Sequence, residues 1–354
     1  MNKLLIALST LLLLSCEAEE CDSCNIILEE SHPINIDYAK NFNVSKTNVG
    51  YRLELIDPNS GDVEKTVSIP SGENLRIISL TTTLNGMLAI LGKQNLIIGI
   101  TDEKFIYDKT ILERFDNKLI ETYGDETNFS FEKIVAAKPD IIFYSGFGDE
   151  FPLQKKLEKL GIIVIPIYDW RENHPLGKAE WIKLVGIIAD EEEKAQEYFN
   201  QVVVKYDSIA EVVKTYKESP TVIAGGIFGD VWYAPGGDSY FSKLLQDAGG
   251  NYRYAKQKGT ASLEFSLEQV LKNEIDTEYW INPGVSSKIK LNERNNKLHF
   301  LKSYEEKTYC YSSNMNRFWE QSAAMPHLVL KDLATIFHSE EKDTTEMYFY
   351  NRVK

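Results

Sequence analysis

The sequence predicts an α/β fold of two doubly wound lobes with mainly parallel sheets, joined by one long rigid helix and preceded by an N-terminal β-hairpin extension. Three observations carry this expectation. First, short apolar runs at 77–80, 96–100, 140–144 and 162–167 alternate with helix-period stretches, and the pattern resumes at 221–228, 279–281 and 308–311. Strands buried on both faces by flanking helices have this texture. Second, between the two blocks Ala195, Phe199, Val202, Tyr206, Ile209, Val213 and Tyr216 recur at spacings of three and four. That is one amphipathic helix over 190–217, about 40 Å long at 1.5 Å per residue. Asp190 is placed to cap it, with Glu193 completing a capping box. Third, Phe129-Ser-Phe-Glu-Lys-Ile-Val, running on to Asp140, is echoed by Phe265-Ser-Leu-Glu-Gln-Val-Leu, running on to Asp276.

At the start of the chain, Lys3 precedes an uncharged apolar run over 4–14, closed by Leu-Leu-Ser-Cys at 13–16. A basic start, a short apolar core and a small residue before the break make an export signal. The run is too short for the roughly 20 residues that span a bilayer. Its Cys resembles the lipobox of bacterial lipoproteins, so Cys16 is the expected lipidation site. The organisation that follows is a signal peptide at 1–15, a lipidated Cys and acidic tether at 16–33, and a strand extension at 34–73. An N-terminal lobe at 74–178, linking helices at 179–219, a C-terminal lobe at 220–340 and a tail at 341–354 complete it. In the extension, segments 51–56 and 63–69 flank Asp57-Pro58-Asn59-Ser60-Gly61, whose residues favour a turn.

Hydrophobic residues make up 43% of the 354, enough for a full core, and the formal charge of −14 argues against nucleic acid. Cys21 and Cys24 form a C-x-x-C within the tether rather than at a helix start, which weakens a redox reading. A disulfide within that pair, or from one of them to Cys310, stays open. Gly236-Gly237-Asp238-Ser239 lacks the Lys and spacing of a phosphate loop and reads as a tight turn into a helix. His32, His174, His299, His327 and His338 are scattered, so no metal site is expected, although a solitary axial His or Tyr for haem stays open. No catalytic arrangement emerges from the spacing.

In the echoed segments Ser130 and Ser266 can each cap a helix, which puts Glu132 and Glu268 in its first turn, where the dipole favours a carboxylate. Two acids at equivalent places could dock on two basic patches of a symmetric partner.

Further segments carry a family resemblance: Ser79 with 81–83, Glu132 through Asp140, 172–183, Val231-Trp-Tyr-Ala-Pro-Gly-Gly-Asp-Ser-Tyr240, Ala248-Gly-Gly-Asn-Tyr252, Asn316-Arg-Phe-Trp-Glu320 and 326–333. In this order the chain resembles, over about 74–340, the periplasmic-binding-protein family that serves ABC importers of iron–siderophore complexes, cobalamin and haem. Similar lipoproteins occur in the Bacteroidetes. The resemblance implies that Glu132 and Glu268 engage Arg pockets on a permease dimer. It also implies a monomeric carrier, not an enzyme, that is exported and held by lipid alone at a bacterial membrane, on the periplasmic face or the cell surface.

Ligands of open α/β sheets sit beyond the carboxyl ends of strands. The candidates there are Thr81, Thr82, Tyr107, Tyr144, Trp170 and Arg171 in the first lobe. Phe228, Trp232, Tyr233, Tyr240, Arg317 and Trp319 are the candidates in the second. Their aromatic density suits a planar or catecholate ligand, and Arg171 and Arg317 could pair with an anionic chelate. The expected cargo is a ferric siderophore, with cobalamin or haem as the alternative and no resident cofactor. A surface-anchored enzyme acting on an iron chelate is the reading from another class. A long connecting helix would limit the lobes to modest closure.

Overall fold

The computed structural model describes residues 31–69, 74–124, 129–146, 151–152, 154–339 and 347–354. The export signal, Cys16, Cys21, Cys24 and nearly all of the tether lie outside the described residues. Among the described residues no helix is long and apolar enough to cross a membrane.

The extension is larger than a hairpin. Strands β1 (His32–Pro33), β2 (Phe42–Thr47), β3 (Gly50–Ile56) and β4 (Val63–Ile69) form an antiparallel sheet in the order β1-β2-β3-β4. The expected hairpin is its β3–β4 half. Phe42, Val44, Leu53 and Leu55 are buried, one face of the period-two pattern. Two carboxylates fix the segment before β2 to the rest of the protein. Glu180 accepts from the backbone N–H groups of Asp37, Tyr38 and Ala39, and Glu172 from those of Lys40 and Asn41.

The first lobe runs β5 (Ile77–Ser79), α1 (Thr82–Leu91), β6 (Ile97–Ile100), α2 (Lys109–Asp116), β7 (Glu121–Thr122), α3 (Phe131–Ala137), β8 (Ile141–Tyr144), α4 (Gln154–Glu158) and β9 (Ile163–Pro166). Its sheet, β7-β6-β5-β8-β9, is parallel throughout. All four residues of β8 are buried, as a strand covered on both faces requires.

Two helices, α5 (Pro175–Ile188) and α6 (Glu192–Val213), then lead to the second lobe. The expected single helix over 190–217 is thus corrected at both ends. Asp190 has φ +55° in the turn between the helices, and Glu191 occupies the cap position without a side-chain bond, so no capping box forms. The helix has 22 residues, about 33 Å. Tyr216 lies beyond it, stacked on His338 at 4.3 Å.

The second lobe comprises β10 (Thr221–Ala224), β11 (Gly226–Phe228), β12 (Val231–Pro235), α7 (Tyr240–Asp247), β13 (Asn251–Tyr252), β14 (Ser262–Ser266), α8 (Leu267–Glu274), β15 (Tyr279–Ile281), α9 (Lys288–Arg294), β16 (Thr308–Cys310), α10 (Met315–Gln321), α11 (Pro326–His338) and β17 (Asn351–Arg352). Its main sheet is β13-β10-β15-β16-β17, parallel except for β17, and β11-β12-β14 form a small antiparallel sheet beside it. The apolar run 221–228 is therefore two strands, broken at Gly225 (φ +92°), where a Cβ would strike the Tyr233 carbonyl. The chain end is part of the lobe rather than a tail. Phe349, Tyr350 and Val353 are buried, and Asp332 accepts from the N–H groups of Tyr348, Phe349 and Tyr350. Among the described residues Cys310 is buried and free of a disulfide.

The two sheets share a topology: β6-β5-β8-β9 of the first lobe correspond in order to β13-β10-β15-β16 of the second. Helices α3 and α8 enter β8 and β15, the matched strands, so the sequence echo has a structural counterpart.

Candidate functional site

Beneath the aromatic residues that follow the strands lies a cavity of about 330 Å³, within the range usual for small-molecule sites. Trp170 comes from the 3₁₀ turn Asp169–Arg171 after β9, Tyr233 from β12 and Tyr240 from the first turn of α7. Asn282 follows β15, Tyr311 follows β16, Phe318 belongs to α10, and Thr260 and Ser262 sit at the entry to β14. The hollow is thus built mainly from the second lobe, near the carboxyl ends of its strands, where open sheets bind ligands, and Trp170 is what the first lobe adds to its lining.

Of the sequence candidates, Trp170, Tyr233 and Tyr240 line this cavity. Trp232 does not. It is fully buried, 5.1 Å from the ring of Trp280, and donates to the Ala224 carbonyl. Successive side chains of a strand point to opposite faces, so Tyr233 and Trp232 cannot both face the cleft. Tyr144 is likewise core, packed on Phe151. Phe228 is 78% exposed at the tip of the β11–β12 hairpin. Thr81 is the buried cap residue of α1, whose carbonyl accepts from Ser79, and Thr82 is the first residue of that helix.

The two arginines are engaged by protein. Arg171 donates from Nη2 to Asn59 Oδ1 at 2.7 Å and from Nε to Thr260 Oγ1 at 3.1 Å. Arg317 lies 3.5 Å above the Tyr348 ring and 5.8 Å from that of Tyr107. Tyr107 itself donates its backbone N–H to Glu320, and Trp319 is 38% exposed near Phe105. Neither Arg lines the cavity, so the expectation that both meet an anionic ligand is not met in this geometry.

Under the cavity floor, Lys178 of α5 sits 3.3 Å from Asp169 and 4.5 Å from the centre of the Tyr240 ring. Burial opposes its charge, but Asp169 and Tyr240 outweigh that and hold its pKa above the ordinary value. Tyr311 is pushed up to about 12 by burial, which keeps it a neutral hydroxyl near neutral pH. Among the described residues no group of His, Cys, Asp and Glu could hold a metal ion.

Asn282 and Tyr311 were missed in the sequence. Each stands one residue past a strand, so applying the strand-end rule without favouring named aromatic motifs would have found both. The glycines of 236–237 do more than turn the chain. A Cβ on Gly236 would lie 2.3 Å from the Gly259 carbonyl and one on Gly237 would lie 2.3 Å from the Gln257 carbonyl. They let the 254–261 loop close onto the cavity wall.

On each lobe, an exposed acid stands just past a capping serine. Ser130 accepts from the Lys133 N–H, with Glu132 exposed in the first turn of α3. Ser266 forms a full capping box with Gln269, with Glu268 exposed in α8 and 3.7 Å from Lys297. The shared topology gives the two acids equivalent places.

The sequence profile described as "Periplasmic binding protein" matches residues 77–303. The chain belongs to that family. An "uncharacterized lipoprotein" of Methanocaldococcus jannaschii is 24% identical over 304 residues, covering 82% of this chain and 70% of the relative. Among solved structures, a periplasmic binding protein from Veillonella parvula superposes with a TM-score of 0.64 at 15% identity, over 82% of this chain and 99% of that one. A possible iron-binding (periplasmic solute-binding) protein of Staphylococcus epidermidis gives 0.59 at 20% identity, over 75% and 100%. The sheet β1–β4 precedes the matched span, and β17 follows it.

Proposed function

We propose that this periplasmic binding protein captures an iron chelate between its lobes and delivers it to the permease of an ABC importer, held at a membrane by lipid on Cys16. The observation that carries this reading is the pair of exposed acids, Glu132 and Glu268, at equivalent capped helix starts on two lobes that share an aromatic cavity. Two like charges at matched positions suit a partner with two matched cationic pockets, as a permease of two similar halves would present. The lipoprotein name of the archaeal relative agrees with an anchored carrier, and the name of the staphylococcal neighbour agrees with iron.

The cavity chemistry narrows the cargo. Its described lining consists of aromatic, small and uncharged polar residues, Arg171 is hydrogen-bonded to Asn59 and Thr260, and Arg317, stacked on the Tyr348 ring, stands outside that lining. A strongly anionic catecholate would lose its hydration there without gaining a cation. A chelate of little net charge, of the hydroxamate type, fits better.

The test is titration of the metal-free protein with ferrioxamine B, haemin and cyanocobalamin, read by Trp fluorescence, beside the visible spectrum and mass analysis of protein from its own host. Ferrioxamine B is expected to quench with a Kd of about 1 μM or below. Exclusive binding of haemin or cyanocobalamin would move the cargo to that class. Chemical conversion of a chelate in the absence of any permease would overturn the carrier reading. In cells, Glu132→Ala with Glu268→Ala should abolish uptake and leave the fluorescence titration unchanged.

A further inference from the structure

The four-stranded sheet lies outside the span that the family profile matches, yet it is tied through Arg171 to Thr260, which lines the cavity. Its β3–β4 turn is held rigid from within. Asp57 Oδ1 accepts from the N–H of Asn59 at 2.6 Å and of Ser60 at 3.4 Å, and the Gly61 N–H closes on the Asp57 carbonyl at 2.8 Å. This local ordering fixes Asn59, whose Oδ1 receives Arg171. The same guanidinium holds Thr260, in the second-lobe loop that becomes the cavity wall at Thr260, Ala261 and Ser262. Arg171 also lies over the ring of Trp170, 5.2 Å from its centre. The segment around it is tied to the sheet elsewhere: Tyr168 OH donates to Glu64, Asn41 Nδ2 to the Tyr168 carbonyl, and Glu172 accepts from Lys40 and Asn41. On the far side, the Glu172 carbonyl accepts from the Tyr240 N–H.

We infer that the N-terminal sheet is a third wall-forming element of the binding site, in which Asn59, acting through Arg171, positions the 254–262 loop and Trp170 about the bound ligand. Arg171 is on this account a positioning residue and not a ligand contact. Arg presents its donors in a fixed planar fork, so one side chain can tie two acceptors on separate elements at set angles. On its other side the loop is held by the 236–238 turn, where the Gly237 N–H donates to the Gln257 carbonyl at 2.8 Å and the Asp238 N–H to the Gly259 carbonyl at 3.1 Å, so Arg171 is its tie toward the sheet. Gly259 bonds to Asp238, and Lys258 approaches Asp238 only at 3.8 Å while largely exposed. Removing the Asn59 acceptor leaves Arg171 bonded to Thr260 but no longer fixed to the sheet, so the loop loses its anchor on that side. The inference rests on the cavity being the ligand site, but its first test needs no ligand.

That test is hydrogen exchange on the full-length, ligand-free protein. In Asn59→Ala, amides of 254–262 should exchange several-fold faster than in the wild type, although the substitution lies in another element some 200 residues earlier in the sequence. Peptides covering β2 and β3 should be unchanged, which shows that the sheet is intact. Asn59→Asp keeps an acceptor facing Arg171 and should restore slow exchange, a rescue that a purely local turn defect would not give. Thr260→Val should raise exchange to the same degree, and combining it with Asn59→Ala should add nothing further. The second test is dissociation of ferrioxamine B from the same variants, expected to quicken in Asn59→Ala and return in Asn59→Asp. Unchanged exchange at 254–262 in Asn59→Ala would overturn the inference, whatever the ligand proves to be. If exchange rises but no chelate binds any variant, the wall stands and the cargo assignment is what fails.

Discussion

At the scale of single residues, the most consequential side chains are buried acids used as backbone acceptors. Glu180, Glu172, Glu320 and Asp332 each take N–H groups from a segment that has no strand partner at that point: 37–39, 40–41, 107–108 and 348–350. Irregular backbone can be buried only if such groups are satisfied. The arrangement leaves a titration signature. Burial, only partly offset by these hydrogen bonds, raises both Glu172 and Glu320 to about 7. Between the ordinary carboxylate value and 7 the folded state keeps protons that the unfolded chain releases. The contribution of these groups to stability is thus full below the ordinary value and is lost as pH rises through 7. The thermal midpoint should fall between pH 5 and pH 8, and Glu320→Gln, which cannot titrate, should flatten that slope by a measurable part. A slope identical in Glu320→Gln by calorimetry would mean that Glu320 is already ionised at pH 5.

At the scale of elements, α10 is the instructive one. It belongs to the second lobe but is fastened to the first. Glu320 holds Tyr107 and Asp108, Asn316 donates to the Lys104 carbonyl at 2.6 Å, and Gly86 of α1 packs against the Glu320 backbone. A Cβ on Gly86 would lie 1.7 Å from the Glu320 carbonyl oxygen. Gly86→Ala should therefore cost about 1–3 kcal/mol as an overpacked contact, read as a lower urea midpoint, with faster exchange at Tyr107 and Asp108. An unchanged midpoint would show that α10 can move away freely. None of this is visible in a sequence window, since Gly86 and Glu320 are joined only by the fold. What was legible follows from local physics. Apolar runs gave β5, β6, β8 and β9 of the first sheet and β10, β15 and β16 of the second, though not the two-residue β7 and β13. Ser130 and Ser266 gave two caps, and 57–61 gave a turn. What failed was also physical. Asp190 has cap chemistry but adopts a left-handed turn, β17 is two residues long, and β2 shows its alternation only at Phe42 and Val44. In the cavity, the pleat decides between Trp232 and Tyr233, and strand parity cannot be set from one sequence without knowing which face is covered.

At the scale of the whole molecule, the ties between lobes decide how a ligand enters. The lobes are connected covalently through α5 and α6, and three further contacts cross between them without relying on those helices alone. Glu320 and Asn316 pin α10 to the first lobe, Arg171 links the first lobe to the 254–262 loop, and Lys178 bridges Asp169 to Tyr240. Wide opening would break charged and buried hydrogen bonds at several points together, each costly when one partner is left unsatisfied. Loops and side chains at the cavity mouth can move at far lower cost. Small-angle scattering should accordingly give a radius of gyration that changes by about 1 Å or less on saturation with ferrioxamine B, the scale of pre-organised complexes. The ligand-free Glu320→Ala, Asn316→Ala double variant should be larger than the wild type, because α10 no longer closes that side, and ligand should then compact it. A wild-type protein that contracts by several ångströms on binding would show that these ties open in solution, and that capture proceeds by a true hinge.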